Sequence, residues 1–174
     1  MKRLTVALIA ALSSPLVLAV EKPYIGIDYQ LGTYTESKFE VEPEVLRLRA
    51  GTELTPYFAI EAHAGIGTKS DVAILDAKGT KSDINVESYY GLFVRPQISL
   101  NDMASVYALL GSTYLDVSSS ATAVQAEQKT FGKSLSYGVG ADVKVYKKIR
   151  LSADYIKYMD SYKAISFGVR IPIE

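Results

Sequence analysis

No cysteine occurs in the 174 residues, and histidine occurs once, at His63. Without cysteine there is no disulfide framework, no thiolate metal site and no acylated lipoprotein cysteine at a cleavage point. A single histidine also argues against zinc, and no metal or cofactor is expected. After Val20 no apolar run approaches the roughly 20 residues that a membrane-spanning helix requires. If the chain crosses a bilayer, it must do so as a closed barrel, with every backbone group paired between strands. An excess of one charge is missing as well: 19 basic residues stand against 19 acidic ones. That balance gives nucleic acid no electrostatic footprint, and none is expected as a partner.

The N-terminus carries a different signature. Met1, Lys2 and Arg3 form a short basic start, Leu4 to Leu12 a brief apolar run, and Ser13, Ser14 and Pro15 break it. Val17 and Ala19 then occupy the −3 and −1 positions of a cleavage site. This is the pattern of a secretory signal peptide over residues 1–19, cleaved near Ala19. Residues 20–174 remain as one domain with 17 basic and 19 acidic residues, since the signal segment holds Lys2 and Arg3 and no acid.

What the rest of the chain has in quantity is alternation. Read for period two, it divides into eight strands near 23–34, 43–54, 57–67, 85–99, 104–116, 133–146, 149–159 and 163–173. Three connections are tight, at Thr55-Pro56, around Asn101-Asp102-Met103, and at Lys147-Lys148. Thr35–Glu42, Thr68–Ile84 and Val117–Gly132 read as longer loops, with the Ser118–Ala121 patch inside the last. Asp160-Ser161-Tyr162 makes the final short hairpin. Long loops on one rim and tight turns on the other match an outer-membrane barrel with its turns in the periplasm. The expected fold is all-β: an eight-stranded antiparallel up-and-down transmembrane β-barrel.

Every strand but the fifth has an apolar and a charged face. Ile25, Ile27, Leu48, Ile60, Leu92, Val139, Leu151, Ile165 and Phe167 belong to the first. The second carries six acids and six bases: Asp28, Glu53, Glu61, Glu87, Asp142 and Asp154 against Arg47, Arg49, Arg95, Lys144, Arg150 and Arg170, with His63 among them. Charges withdrawn from water must be paired, so this equality suits a closed lumen. Glycines such as Gly26, Gly51, Gly65, Gly91, Gly138, Gly140 and Gly168 share the charged parity. They make sense where long charged side chains must fit inside a narrow cylinder. The apolar face is therefore expected to meet hydrocarbon. On strand five, apolar on both faces, only Gly111 hints that Tyr107, Leu109 and Thr113 point inward. Lys157 has the outward parity, near the long-loop rim, where a lysine can snorkel to headgroups. Tyr24, Tyr34, Tyr114, Tyr146, Tyr158 and Tyr162 lie near strand ends and suit interfacial girdles.

The whole chain after residue 19 resembles the small eight-stranded outer-membrane barrels of Gram-negative bacteria, the OmpA/OmpX-type superfamily. The most telling part is "YGVGADVKVYKKIRLSADYIKY" followed by "ISFGVRIPI". The resemblance implies an assembly signal on the last strand, carried by Ser166, Gly168, Ile171 and Ile173 and read by the barrel-assembly machinery during insertion. Aliphatic residues stand where such signals usually have aromatics, and Glu174 follows in place of a terminal Phe. No peptidoglycan-binding domain is expected after the barrel. The implied setting is the cell outer membrane, with membrane lipid and lipopolysaccharide around a monomer.

Three functions are compatible with this reading. The first is a structural or surface-interaction barrel whose lumen is closed by the charged network. Its loops hold Lys38, Lys69, Lys78, Lys81, Lys129 and Lys133, interspersed with Glu36, Glu40, Asp71, Asp76, Asp83 and Glu127, which reads as a solvated surface. A minor channel for small solutes or ions is the second, and it requires lumen pairs to open. The third, a lipid A-modifying enzyme, would need a histidine working with serine and an acid. Parity places His63 and Glu61 in the lumen, away from acyl chains, so no enzymatic activity is expected.

Overall fold

The computed structural model describes residues 22–36, 39–69, 71–74, 81–121 and 127–173. The expected signal peptide, with its cleavage point near Ala19, lies outside these residues, as do Lys38, Asp76 and Lys78. Ten strands are formed: β1 (Lys22–Glu36), β2 (Phe39–Val41), β3 (Glu44–Thr55), β4 (Phe58–Lys69), β5 (Asp71–Ile74), β6 (Lys81–Ser99), β7 (Ala104–Ala121), β8 (Glu127–Tyr146), β9 (Ile149–Met159) and β10 (Tyr162–Pro172). Eight of them form one antiparallel sheet in the order β1-β3-β4-β6-β7-β8-β9-β10, and β10 closes the cylinder on β1 from Tyr24↔Pro172 to Tyr34↔Tyr162. β2 folds back on the end of β1 and β5 on the start of β6, so both thicken the long-loop rim.

Among the described residues, closure leaves the eight barrel strands no free edge, which is what a bilayer demands of a β-structure. The alternation then sorts side chains in the sense opposite to a soluble protein. Leu92 is 66 % exposed and Leu48 55 %, whereas Arg47 and Glu61 are 0 % exposed. A continuous apolar exterior of this kind far exceeds what a soluble monomer shows to water.

The tight turns have local causes. Thr55 Oγ1 accepts hydrogen bonds from the amides of Tyr57 (3.2 Å) and Phe58 (3.0 Å). Asn101 Oδ1 does the same for Met103 (2.8 Å) and Ala104 (2.7 Å). Side chains that cap the backbone in this way favour a turn over a continued strand. At the β8–β9 turn Lys147 takes a left-handed φ of 48°, the sign that two-residue hairpin turns require to match strand twist.

The strands outrun their expected ends on the loop side. β6, β7 and β8 reach 19, 18 and 20 residues, nearly twice the roughly 9–11 that a tilted crossing needs. Ser118–Ala121 is not a loop: it belongs to β7, and pairing with β8 continues to Ser120↔Glu127. Backbone pairing needs no facing pattern, so the ladder runs past the point where alternation fades.

Lys157, on the outward parity of β9, ends near that rim and donates to Asp160 Oδ1 at 2.9 Å. This hydrogen bond holds the exposed turn carboxyl of Asp160 below the usual carboxylate range.

Candidate functional site

Among the described residues the buried ionisable groups gather in the lumen, and register explains how. Asp28 on β1 lies opposite Arg47 on β3, with Arg49 two residues further along the same inner face. Arg47 Nε donates to Asp28 Oδ2 at 2.9 Å, and its Nη2 reaches across the lumen to Asp154 Oδ2 on β9 at 2.6 Å. Arg49 Nη2 donates to Asp28 Oδ1 at 2.8 Å and to Ser152 Oγ at 2.5 Å. Two arginines and two aspartates thus form a belt across the middle of the barrel.

A second cluster lies nearer the turns. The Tyr24 hydroxyl donates to Glu61 Oε1 at 2.7 Å, and Glu61 Oε2 is 2.8 Å from His63 Nε2. Arg95 bonds Asp142 through Nη2 and Gln97 Oε1 through Nη1 at 2.6 Å, with its Nε 3.4 Å from Glu61. Arg170 Nη2 sits 2.9 Å from the same Asp142 carboxylate. Both guanidiniums also cover aromatic faces, Arg95 at 3.9 Å from the Tyr107 centroid and Arg170 at 4.5 Å from that of Tyr24. Such stacking suits a weakly hydrated planar cation. Among the described residues the buried arginines and carboxyl groups are equal in number: Arg47, Arg49, Arg95 and Arg170 against Asp28, Glu61, Asp142 and Asp154.

Towards the loops the lumen changes character. Tyr89 donates to Gln30, Gln30 Nε2 donates to the Tyr158 hydroxyl at 2.9 Å and to Ser166 Oγ at 2.7 Å, and Arg47 reaches Tyr158 at 3.4 Å. Beyond them Val41, Val45, Val86, Leu115 and Tyr162 pack into an apolar plug. The charged network fills only part of the barrel; apolar side chains and tyrosines occupy its loop-side end.

The remaining expected residues are placed as follows. Glu53 and Arg150 are half-buried at the turn-side mouth, where Arg150 donates to Ser105 Oγ at 3.3 Å, and Lys144 is exposed there. Glu87 is half-buried beside a bulge in β6 that gives Val86 the inner position. Ser166 is buried, Gly168 lies opposite Asp28, and Ile171 and Ile173 project outward. His63 is buried, held by Glu61 and stacked 4.4 Å from the Phe93 ring. Among the described residues no group of three or more His, Asp or Glu side chains could hold a metal ion.

The tyrosine assignment needs correcting. Tyr24, Tyr158 and Tyr162 do not belong to an interfacial girdle: they are buried in the lumen with Tyr89 and Tyr107. Nearness to a strand end suggested the girdle, but facing follows parity. Tyr24 shares its parity with Gly26 and Asp28, and Tyr158 with Asp154. On strand five, Tyr107, Leu109 and Thr113 do point inward.

The inward glycines also have a different partner from the one expected. Tyr24, Tyr89, Phe93 and Tyr107 face Gly51, Gly65, Gly111 and Gly140 directly across the ladder. These glycines make room mainly for rings, while Gly26, Gly140 and Gly168 lie against the charged residues Arg49, Asp154 and Asp28.

Comparison with known proteins agrees with this architecture. Residues 4–170 match the family model described as outer membrane protein beta-barrel domain. No curated protein matches the chain. Among solved structures, Ail, the attachment invasion locus protein of Yersinia pestis, superposes with a TM-score of 0.60 at 18 % identity, covering 87 % of this chain and 96 % of that one, in a complex with the heparin analogue sucrose octasulfate. Neisserial surface protein A gives a TM-score of 0.60 at 12 % identity over 87 % of this chain and 96 % of that one. The N-terminal barrel of Pseudomonas aeruginosa OprF gives 0.54 at 10 % identity, over 86 % and 97 %. At these identities the likeness is one of fold.

Proposed function

The chain belongs to the outer membrane protein beta-barrel domain family, and from that premise we propose that it is a non-conducting, non-enzymatic scaffold that carries its long-loop rim at the cell surface. The observation that carries this reading is the pairing of Arg47 with its ladder neighbour Asp28 and, across the lumen, with Asp154, beneath the plug of Val45, Val86, Tyr89 and Tyr162. An eight-stranded barrel has an interior just wide enough for side chains, and here arginines and rings fill it. A rigid barrel leaves recognition to the loops, and Ail, an attachment protein by name, has the same fold. His63 faces the lumen, so it offers nothing to a lipid acyl chain. In this reading residues 1–19 direct export and are removed near Ala19. The barrel-assembly machinery reads Ser166, Gly168, Ile171 and Ile173, and the monomer sits among membrane lipid and lipopolysaccharide.

Planar-bilayer recording tests it. The refolded barrel is expected to give no steady conductance. A stable open level would overturn the closed-lumen reading in favour of a small-solute channel.

A further inference from the structure

Among the described residues, the turn-side mouth of the barrel gathers more cations than carboxylates. A cavity of about 490 Å³ opens there. Among the described residues its walls carry Lys22, Lys144, Lys147, Arg150 and Arg170 against the carboxylate of Glu53.

Register aggravates the imbalance. On the inner face Lys144 of β8 lies opposite Arg150 of β9, and Arg150 lies opposite Arg170 of β10. Three adjacent strands thus present a row of like charges, an arrangement that destabilises a sheet when nothing lies between them. Asp142, the buried carboxylate beneath the row, is already shared by Arg95 and Arg170. Arg150 is hydrogen-bonded to the neutral Ser105, and Lys144 has no ionic partner among the described residues. Arg170 is only 4 % exposed. Its buried Nη1, 3.5 Å from Glu53 Oε1, makes no hydrogen bond among the described residues, and the Arg170 side chain belongs to the cavity wall.

We propose that this vestibule is a binding site for a small, multiply charged oxyanion, of the phosphate or polyphosphate class, entering from the periplasmic side. A row of arginine and lysine donors around a concave mouth provides the charge-assisted hydrogen bonds that such oxygens accept. Arg170, Tyr24 and Glu53 belong to the inner wall, so the ligand arrives along the barrel axis. It is a solute, not a lipid headgroup reached from the side of the barrel.

The test is calorimetric titration of inorganic tripolyphosphate into the full barrel in phosphatidylcholine nanodiscs. One saturable site per barrel is expected. The double variant K144Q/K147Q should weaken binding by about tenfold or more, whereas K69Q/K133Q, on the opposite rim, should leave it within about twofold. Both variants are first checked for heat-modifiable migration, which shows that the barrel is folded. Absence of saturable heat with the unaltered protein, or an equal loss in both variants, would overturn the proposal. A second series adds phosphatidylglycerol to the discs. A loss of tripolyphosphate binding there that is larger in the unaltered protein than in K144Q/K147Q would assign the row to lipid headgroups and also overturn it.

Discussion

Tyr24 and Gly51 face each other across the β1–β3 ladder, and the tyrosine ring occupies the space that a side chain at position 51 would need. A Cβ placed on Gly51 would come within 2.6 Å of Tyr24 Cζ and 2.8 Å of the Ile60 carbonyl oxygen. The ring cannot swing away without giving up its 2.7 Å bond to Glu61 and its stacking under Arg170.

Gly51→Ala is therefore expected to destabilise the barrel by about 1–3 kcal/mol, the usual cost of overpacking. Gly26→Ala should cost less, because its Cβ would meet its nearest atom at 3.1 Å. Urea unfolding in lipid vesicles, followed by heat-modifiable migration, ranks the two. Equal losses would show that ring contact is not what the glycine serves.

Asp28 accepts from both Arg47 and Arg49, all three fully buried. Asp28→Ala leaves two buried guanidiniums with Asp154 as their one shared carboxylate and is expected to cost about 3–5 kcal/mol. The exposed pair Lys69–Glu44 is a control: Lys69→Gln should change stability by at most about 1 kcal/mol. The same unfolding assay compares them, and a D28A loss no larger than that of K69Q would contradict a sealed network.

Leu92, in the middle of β6, is 66 % exposed on the outer face. Leu92→Arg is expected to destabilise the folded barrel by about 2–4 kcal/mol, the cost of a basic residue at the bilayer midplane. Lys157→Leu, at the rim, should shift stability by about 1 kcal/mol or less. Reversal of that order in vesicle refolding titrations would place the apolar band elsewhere.

Asn101 holds the β6–β7 turn through two backbone amides. Asn101→Ala removes both and should cost about 1–2 kcal/mol. The loss is expected mainly in the refolding yield, since no loop residue replaces the acceptor. An unchanged yield and midpoint would show that the turn forms without it.

Barrel closure, strand number and facing were legible because period two, charge parity and glycine parity agree along the chain. Three things were not. The outer ends of β6–β8 lack the facing signal once both sides are polar, so Ser118–Ala121 read as a loop. The plug of Val41, Val45, Val86 and Leu115 is invisible to a rule that equates apolar with outward. The lumen tyrosines could have been found, since Tyr24 and Tyr158 have the parity of Asp28 and Asp154. The partners within the network were beyond sequence, because Arg47 reaches Asp154 across the lumen and not along a ladder.

The facing of the wall itself is tested most directly by single cysteines, clean to introduce because the chain has none of its own. Nitroxide labels at Leu92, Val139 and Phe167 of the vesicle-embedded barrel are expected to relax with dissolved oxygen and to be shielded from a water-soluble nickel chelate. Labels at these three positions that respond to the chelate and not to oxygen would contradict an outward apolar face.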